Sequence, residues 1–313
     1  MEAKKKLSTE IKKKAIELGF DACGITSATL PKNQIQHFRN WIENDNHGQM
    51  DYMEKNVEKR VDPSKLVENA KSVVLVLLSY FKNIEYPDTL KVSKYAQGVD
   101  YHYIIKEKLN QLLLFIQENA DEINGRCFVD SAPVLERTLA QQAGLGWFGK
   151  NSMLLNKSLG SFFFIGEVIL DVELEYDLPF EKEFCGDCEL CLRNCPTGAI
   201  VSPKVVDARK CISYLTIEKR GEFVPVEAEM LNNWIFGCDI CQNVCPWNKK
   251  AKQTQEELLF KYYNQLKLTK SEWLSLTGNQ FKQKYKSSPL QRAGLKQIVR
   301  NVLGNDYFTL YQV

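Results

Sequence analysis

Eight of the ten cysteines in this 313-residue chain fall between positions 185 and 245, and their spacing limits what that stretch can fold around. Cys185, Cys188, Cys191 and Cys195 form the run C-x2-C-x2-C-x3-C followed by Pro196. Cys238, Cys241 and Cys245 give C-x2-C-x3-C before Pro246, and Cys211 stands between the two groups. A 4Fe–4S cube needs a thiolate at each of four corners. A C-x2-C-x2-C loop supplies three of them while its backbone amides point at the sulfides. In the bacterial two-cluster pattern the fourth cysteine of the run ligates the other cluster. That rule assigns Cys185, Cys188, Cys191 and Cys245 to one cluster, and Cys195, Cys211, Cys238 and Cys241 to the second, with none left over. Zinc would call for separated C-x2-C pairs and no run of four before a proline. Disulfides would require an oxidising compartment, and no signal peptide argues for one. The chain reads as a carrier of two clusters that passes single electrons to some acceptor. Cys23 and Cys127, in the apolar stretches FDACGIT and GRCFVD, read as free buried thiols.

The longest apolar runs, such as VVLVLL at 73–78, are strand-sized. A membrane span needs roughly 20 apolar residues, so none is expected, and a cytoplasmic location follows. Net charge is only +2, but it is unevenly spread: from Lys249 onward there are 12 Lys or Arg against 4 Asp or Glu. A basic end on an acidic redox body suits a polyanionic partner, nucleic acid first, although lysines solvating helix faces would give the same balance. The N-terminal lysines suit the wet face of a helix that turns Ile11, Ala15 and Leu18 inward.

Periodicity predicts a helix over 7–19, a strand at FDACGIT, a helix over 32–43, a polar loop from Glu43 to Pro63, and a buried strand at KSVVLVLLSY. A long helix over 101–119 follows, then a strand RCFVD ending at Asp130, a helix opened by Pro133, the loop LGWFGKN and the strand SFFFIGEVILD. Alternating strands and helices predict an α/β (α+β) domain over 1–175. Residues 176–250 form the two-cluster insert, and 251–313 a small basic helical segment. No G-x-G-x-x-G follows a strand, so the nicotinamide fingerprint is absent.

Two segments look like a reaction site. VDSAPVLER sets Asp130 at a strand end, either as a helix N-cap or as a proton donor beside a cavity. AGLGWFGKN carries three glycines, which let backbone approach a ligand or simply turn. Together with the DYH at 100–102, CGDCELCLRNCPTGAI, RKCISYLT and GCDICQNVCPWN, these segments resemble the epoxyqueuosine reductases, over nearly the whole chain. The resemblance implies a cobalamin-binding domain similar to that of reductive dehalogenases, holding cobalamin base-off, and two 4Fe–4S clusters that feed it electrons. It implies as substrate an epoxide on a modified guanine at the wobble position of tRNA, reduced to the cyclopentene by two electrons and two protons with loss of water.

By the same resemblance Asp130 is the acid that protonates the substrate oxygen, a task that calls for burial to favour its neutral form. Arg60, in EKRVDP, matches a position near the cofactor. Ser213 and Asp239 are expected where cluster and corrin meet, with backbone at Leu154 and Ile165 lining the corrin pocket. Ser93 stands where some relatives carry cysteine and is given no role. Lys219 and Arg220 are placed against tRNA phosphate, with a solvated helix end as their plain alternative. An external low-potential donor is implied. Many relatives continue into a HEAT-like repeat, whereas this chain ends at Val313. A dehalogenase-like enzyme acting on a small molecule is the main alternative, but it gives no reason for the basic C-terminal segment. A plain ferredoxin-type carrier leaves Asp130 unexplained, and a tRNA-binding protein with structural clusters would not couple them to turnover.

Overall fold

The computed structural model describes residues 2–86, 90–120 and 122–305. Helix α1 (Glu2–Glu17) buries Ile11 and Ala15 and ends at Gly19, whose φ of +88° closes the last turn as only glycine does easily. Next come β1 (Ala22–Ser27), α2 (Lys32–Glu43) and two short helices, α3 (Asp51–Lys55) and α4 (Val57–Arg60), before β2 (Ser72–Ser79). The short strand β3 (Lys91–Val92) precedes α5 (Tyr101–Glu118), β4 (Gly125–Val129), α6 (Glu136–Gln142), the paired β5 (Trp147–Phe148) and β6 (Leu154–Leu155), and β7 (Phe163–Leu170).

The main sheet has the order β1-β2-β7-β4, and every neighbouring pair is antiparallel. The fold is therefore α+β. Both central strands, SVVLVLLS and FFIGEVIL, are buried on both faces, which is why they read as continuous apolar runs and not as alternation. Alternate residues still divide between two cores. Val74, Val76 and Val168 pack with Ile11, Ile105 and Leu109 of α1 and α5, while Leu75, Leu77 and Ile165 pack with Leu139 and Ala140 of α6. A Cβ on Gly24 would come within 2.3 Å of the Ala143 carbonyl, so glycine there lets the end of α6 sit directly on β1.

Three sequence expectations shift. The 43–63 loop contains α3 and α4, each too short to show a period. The glycine loop contains β5. The helix after Asp130 starts at Glu136 with Leu135 as its N-cap, so neither Pro133 nor Asp130 opens it. Two tight turns, Ser131 N to Val129 O and Val134 N to Ala132 O, use up the intervening residues, and the proline disfavours helix at Ala132.

Beyond β7 the chain forms α7 (Leu190–Arg193), the hairpin β8 (Ile200–Ser202) and β9 (Val205–Val206), α8 (Ile212–Ile217), α9 (Pro225–Met230), β10 (Trp234–Phe236) and α10 (Ile240–Asn243). β10 pairs in parallel with β3. The C-terminal helices α11 (Lys270–Ser275), α12 (Gly278–Lys284) and α13 (Gly294–Gly304) put Trp273, Phe281 and Ile298 into a third core with Val92 and Phe236. The basic segment is thus packed against both earlier parts. Among the described residues, no helix is long and apolar enough to cross a membrane.

Candidate active site

The cysteines separate into two groups by their mutual influence. Burial raises the Cys191 thiol, and Cys185 and Cys245 add to that; Cys245 in turn feels Cys185 and Cys188. In the other group, burial pushes Cys241 far up, reinforced by Cys211 and Cys195, and Cys238 feels Cys211 and Cys241. These influences run within the sets of four expected from the spacing. All ten cysteines are free of disulfides. Cys185, Cys188, Cys191 and Cys245 line a cavity of about 240 Å³ with Phe184 and Trp247. Asn151, from the glycine loop, lines the same cavity and hydrogen-bonds Cys241, so this loop lies between the quartets.

Asp130 follows β4 with a φ of +49°, a left-handed conformation that a non-glycine residue adopts at some cost. The Tyr101 hydroxyl donates to its Oδ2 at 2.5 Å, and the Tyr101 ring stacks on Phe164 with centroids 4.0 Å apart. His102 Nε2 lies 3.8 Å and Arg292 Nη1 3.9 Å from the same oxygen. The imidazole is held by Asp100 through Nδ1 at 2.8 Å and by Ser131 at Nε2, also 2.8 Å. Asp100, His102, Lys286, Ser288 and Arg292 line a cavity of about 350 Å³ next to it. The Asp130 side chain is 50% exposed, so the burial expected of a proton donor is not provided by the protein's own packing.

Two further carboxyls lie behind Asp130. Glu167, in the middle of β7, is 0% exposed and neither of its oxygens has a hydrogen-bond partner. Burial drives it well above the usual range, with Glu136 and Asp130 adding to the effect. Glu136 opens α6, and its carboxylate accepts from the Asp130 backbone N–H; burial and Asp130 still push it up to about 8. Arg60 is 7% exposed with its Nε unpartnered, and burial lowers it against the opposing pull of Tyr52, Asp130 and Glu136.

The other expected residues lie as follows. Leu154 on β6 and Ile165 on β7 share the core on the α6 side of the sheet. Asp239 is 1% exposed; its Oδ2 accepts from Lys94 N at 2.7 Å and from the Tyr86 hydroxyl. Tyr95, raised by burial, meets the Tyr101 ring edge-on with centroids 6.2 Å apart and packs on Phe236 of β10 at 6.0 Å. Ser93 packs on Gly237, where a Cβ would meet its Oγ at 2.0 Å. Ser213 is half-buried on α8 directly after Cys211. Lys219 is paired with Glu227 at 2.9 Å, while Arg220 is exposed and bonds Gln297.

Sequence reading gave no role to Tyr101, Arg292, Glu136 or Glu167. Tyr101 lies in the DYH and Glu136 in the VDSAPVLER that carry the family resemblance, and Glu167 stands out as a lone acid inside the apolar run FFIGEVIL, whereas Arg292 carried no signal.

Known proteins share this arrangement. Residues 184–248 match the family described as 4Fe-4S double cluster binding domain, a span that holds all eight clustered cysteines. Residues 60–131, from Arg60 past Asp130, match the family described as epoxyqueuosine reductase QueG, DUF1730. The epoxyqueuosine reductase of Cyclobacterium marinum is 47% identical over 93% of this chain and 94% of its own length. That of Cellulophaga algicola is 46% identical over 96% and 99%, and that of Escherichia coli 44% over 80% and 68%. A crystal structure of epoxyqueuosine reductase with a tRNA-Tyr epoxyqueuosine-modified stem loop superposes with a TM-score of 0.87, covering 96% of this chain and 81% of that one at 29% identity. A Bacillus subtilis structure, at a TM-score of 0.86 and 28% identity over 96% and 81%, has its catalytic aspartate loop swung out of the active site.

Proposed function

The chain belongs to the epoxyqueuosine reductase family, and from that premise we propose that it reduces epoxyqueuosine at the tRNA wobble position to queuosine with two 4Fe–4S clusters and cobalamin. One observation carries this reading: Asp130 accepts from Tyr101, whose ring meets Tyr95, and Tyr95 in turn packs on Phe236, two residues before Cys238 of the second quartet. A proton donor and an electron source therefore meet in one neighbourhood. Eight thiols in two sets of four are the donor set that two cubes take. The unpartnered Arg60 Nε and Ser152 Oγ offer polar contacts to the amide rim of a corrin. Arg60, Ser213, Asp239 and backbone near Leu154 and Ile165 would hold cobalamin, in the base-off state. When bound, the corrin supplies reducing equivalents beside the epoxide carbons, and the clusters deliver electrons singly.

The protein's own groups handle the protons. Tyr101 donates to Asp130 Oδ2, which leaves Oδ1 to carry the transferable proton to the epoxide oxygen as the C–O bond breaks. His102 and Arg292, fixed by Asp100, orient that carboxyl, and the Arg292 guanidinium places positive charge where oxygen gains electron density. Lys286, Arg292, Arg220 and Lys219 are assigned to tRNA phosphates, with the residues after 250 supplying the broader basic surface. The work divides into a corrin and proton unit (1–175), an electron unit (176–250) and a tRNA-facing segment (251–313). A low-potential cytoplasmic protein is the expected donor.

The test is anaerobic purification with cobalamin, EPR, and incubation with an epoxyqueuosine stem loop. A base-off cob(II)alamin signal and nucleoside mass loss of one oxygen are expected. Clusters without corrin binding, or an unchanged nucleoside, would sink the reading.

A further inference from the structure

The first quartet lies at the surface, and its rim is basic. Cys185, Cys188 and Cys191 are partly exposed, on a loop and on α7, which buries none of its residues. A side chain added at Gly186, between the first two, would meet nothing within 4 Å. Lys150, Leu190 and Pro246 line the same cavity as the four thiols. Phe184 and Trp247, also in its lining, are braced by the fully buried Trp147 at centroid distances of 5.1 and 5.0 Å. A rim held this firmly loses little freedom when something docks on it.

The charge on this rim is one-sided. The Lys157 ammonium lies 4.6 Å above the Phe184 ring. In the 3₁₀ helix Pro246–Lys250, side chains three residues apart eclipse, so Lys249 follows Pro246 and Lys250 follows Trp247 along the cavity edge, both exposed. Among the nearby acids, Glu183 is paired with Lys204, and Glu189 with Arg193 at 3.1 Å. Within residues 181–189 that leaves Glu181 and Asp187, against Lys150, Lys157, Lys182, Lys249 and Lys250. An RNA backbone could meet the same lysines. Here, however, they surround a thiol quartet and the apolar Phe184, Leu190 and Pro246, which suits a protein face better than a phosphate chain.

Resting on the reductase reading, which needs a low-potential donor, we propose that this rim docks a small acidic protein with a one-electron centre at its surface. Each encounter oxidises the carrier by one electron and reduces the first cluster by one, with no bond made or broken. Attraction by exposed lysines speeds encounter more than it tightens the complex, which suits a partner that leaves after every electron.

Stopped-flow mixing of the oxidised holoprotein with a photoreduced acidic flavodoxin, and in parallel with a reduced acidic ferredoxin, reads the step as cluster bleaching. With at least one carrier the second-order rate should fall steeply as salt rises. The double variant Lys249→Glu/Lys250→Glu should lower that rate by about 10–10²-fold at low salt and flatten its salt dependence. Its cluster EPR signals and its direct photoreduction by a small deazaflavin should match wild type, and Lys296→Glu on α13 should leave the rate unchanged. Rates from both carriers that ignore salt or rise with it, or a double variant that overlays wild type, overturn the proposal. So does a double variant that loses stem-loop binding but keeps its carrier rate, which makes the rim an RNA surface. No epoxide enters this assay, so an unreduced stem loop would count against the reductase reading and leave these rates informative.

Discussion

The two cysteine quartets both contain a C-x2-C pair but occupy opposite surroundings. The first is carried on α7, which buries none of its residues, and opens into a cavity edged by Phe184, Leu190 and Trp247. The second sits against β10 and the buried Asp239 and Gln242, with burial driving Cys238 and Cys241 far above an ordinary thiol. The first quartet is therefore the more open of the two, and the second lies deeper, beside Asp239. Spacing chooses the ligands, while neighbouring elements set what each cluster faces. A buried network fixes this arrangement: Asn248 Oδ1 accepts from Ser161 N at 2.6 Å, and Ser161 Oγ donates to Gln242 at 2.9 Å, tying α10 to the approach of β7.

The contrast can be broken most severely at the inner quartet. Cys241→Ala should lose at least half the bound iron and unfold much of the insert, because metal replaces a core there; Cys188→Ala should lose the outer cluster but stay folded. Iron assays and thermal melts would show equal damage in both if the asymmetry is unreal. Asp130→Asn asks whether the inner side is the reaction side. It should keep corrin and both clusters yet slow single-turnover reduction by about 10²–10⁴-fold, and full activity would remove it from the acid role. Arg292→Ala should weaken stem-loop binding and flatten its salt dependence by about one unit of log–log slope, read by binding titrations at several salt concentrations. No change would place tRNA elsewhere.

The smallest effect is on stability. A carboxyl whose folded-state pKa lies above its unfolded value of about 4.3 loses its stabilising contribution as pH rises from that value through the folded one. Burial raises Glu167 in this sense, so wild-type stability should decline over that window. Glu167→Gln should decline less and melt roughly 2–4 °C higher at pH 8. Parallel pH–melting curves would argue that Glu167 is charged in the native protein. The thiols of Cys23 and Cys127, pushed up to about 12 by burial, should resist alkylation in the same samples.

Local pattern reached a long way here. α2 was expected over its observed residues, and β2, α5 and β7 announce themselves because burial of one or both faces demands uninterrupted or periodic apolar side chains. Short elements such as α4, β5 and β10 have too few residues to show a period, and they form because larger elements hold them. Within the site, Asp130 was legible at a strand end. Arg292 was not, since it reaches the carboxyl from a helical turn more than 160 residues away, in a segment that reads as basic surface.

The cysteine order marks out a two-cluster domain and proposes which thiols serve each cluster, because ligand geometry is a local demand on the chain. Which cluster lies outside, which faces a proton donor, and that Glu136 and Glu167 stand behind Asp130 are outcomes of how β7, α6 and the C-terminal helices pack. Those relations depend on burial and distance between segments far apart in the chain, and no local spacing encodes them.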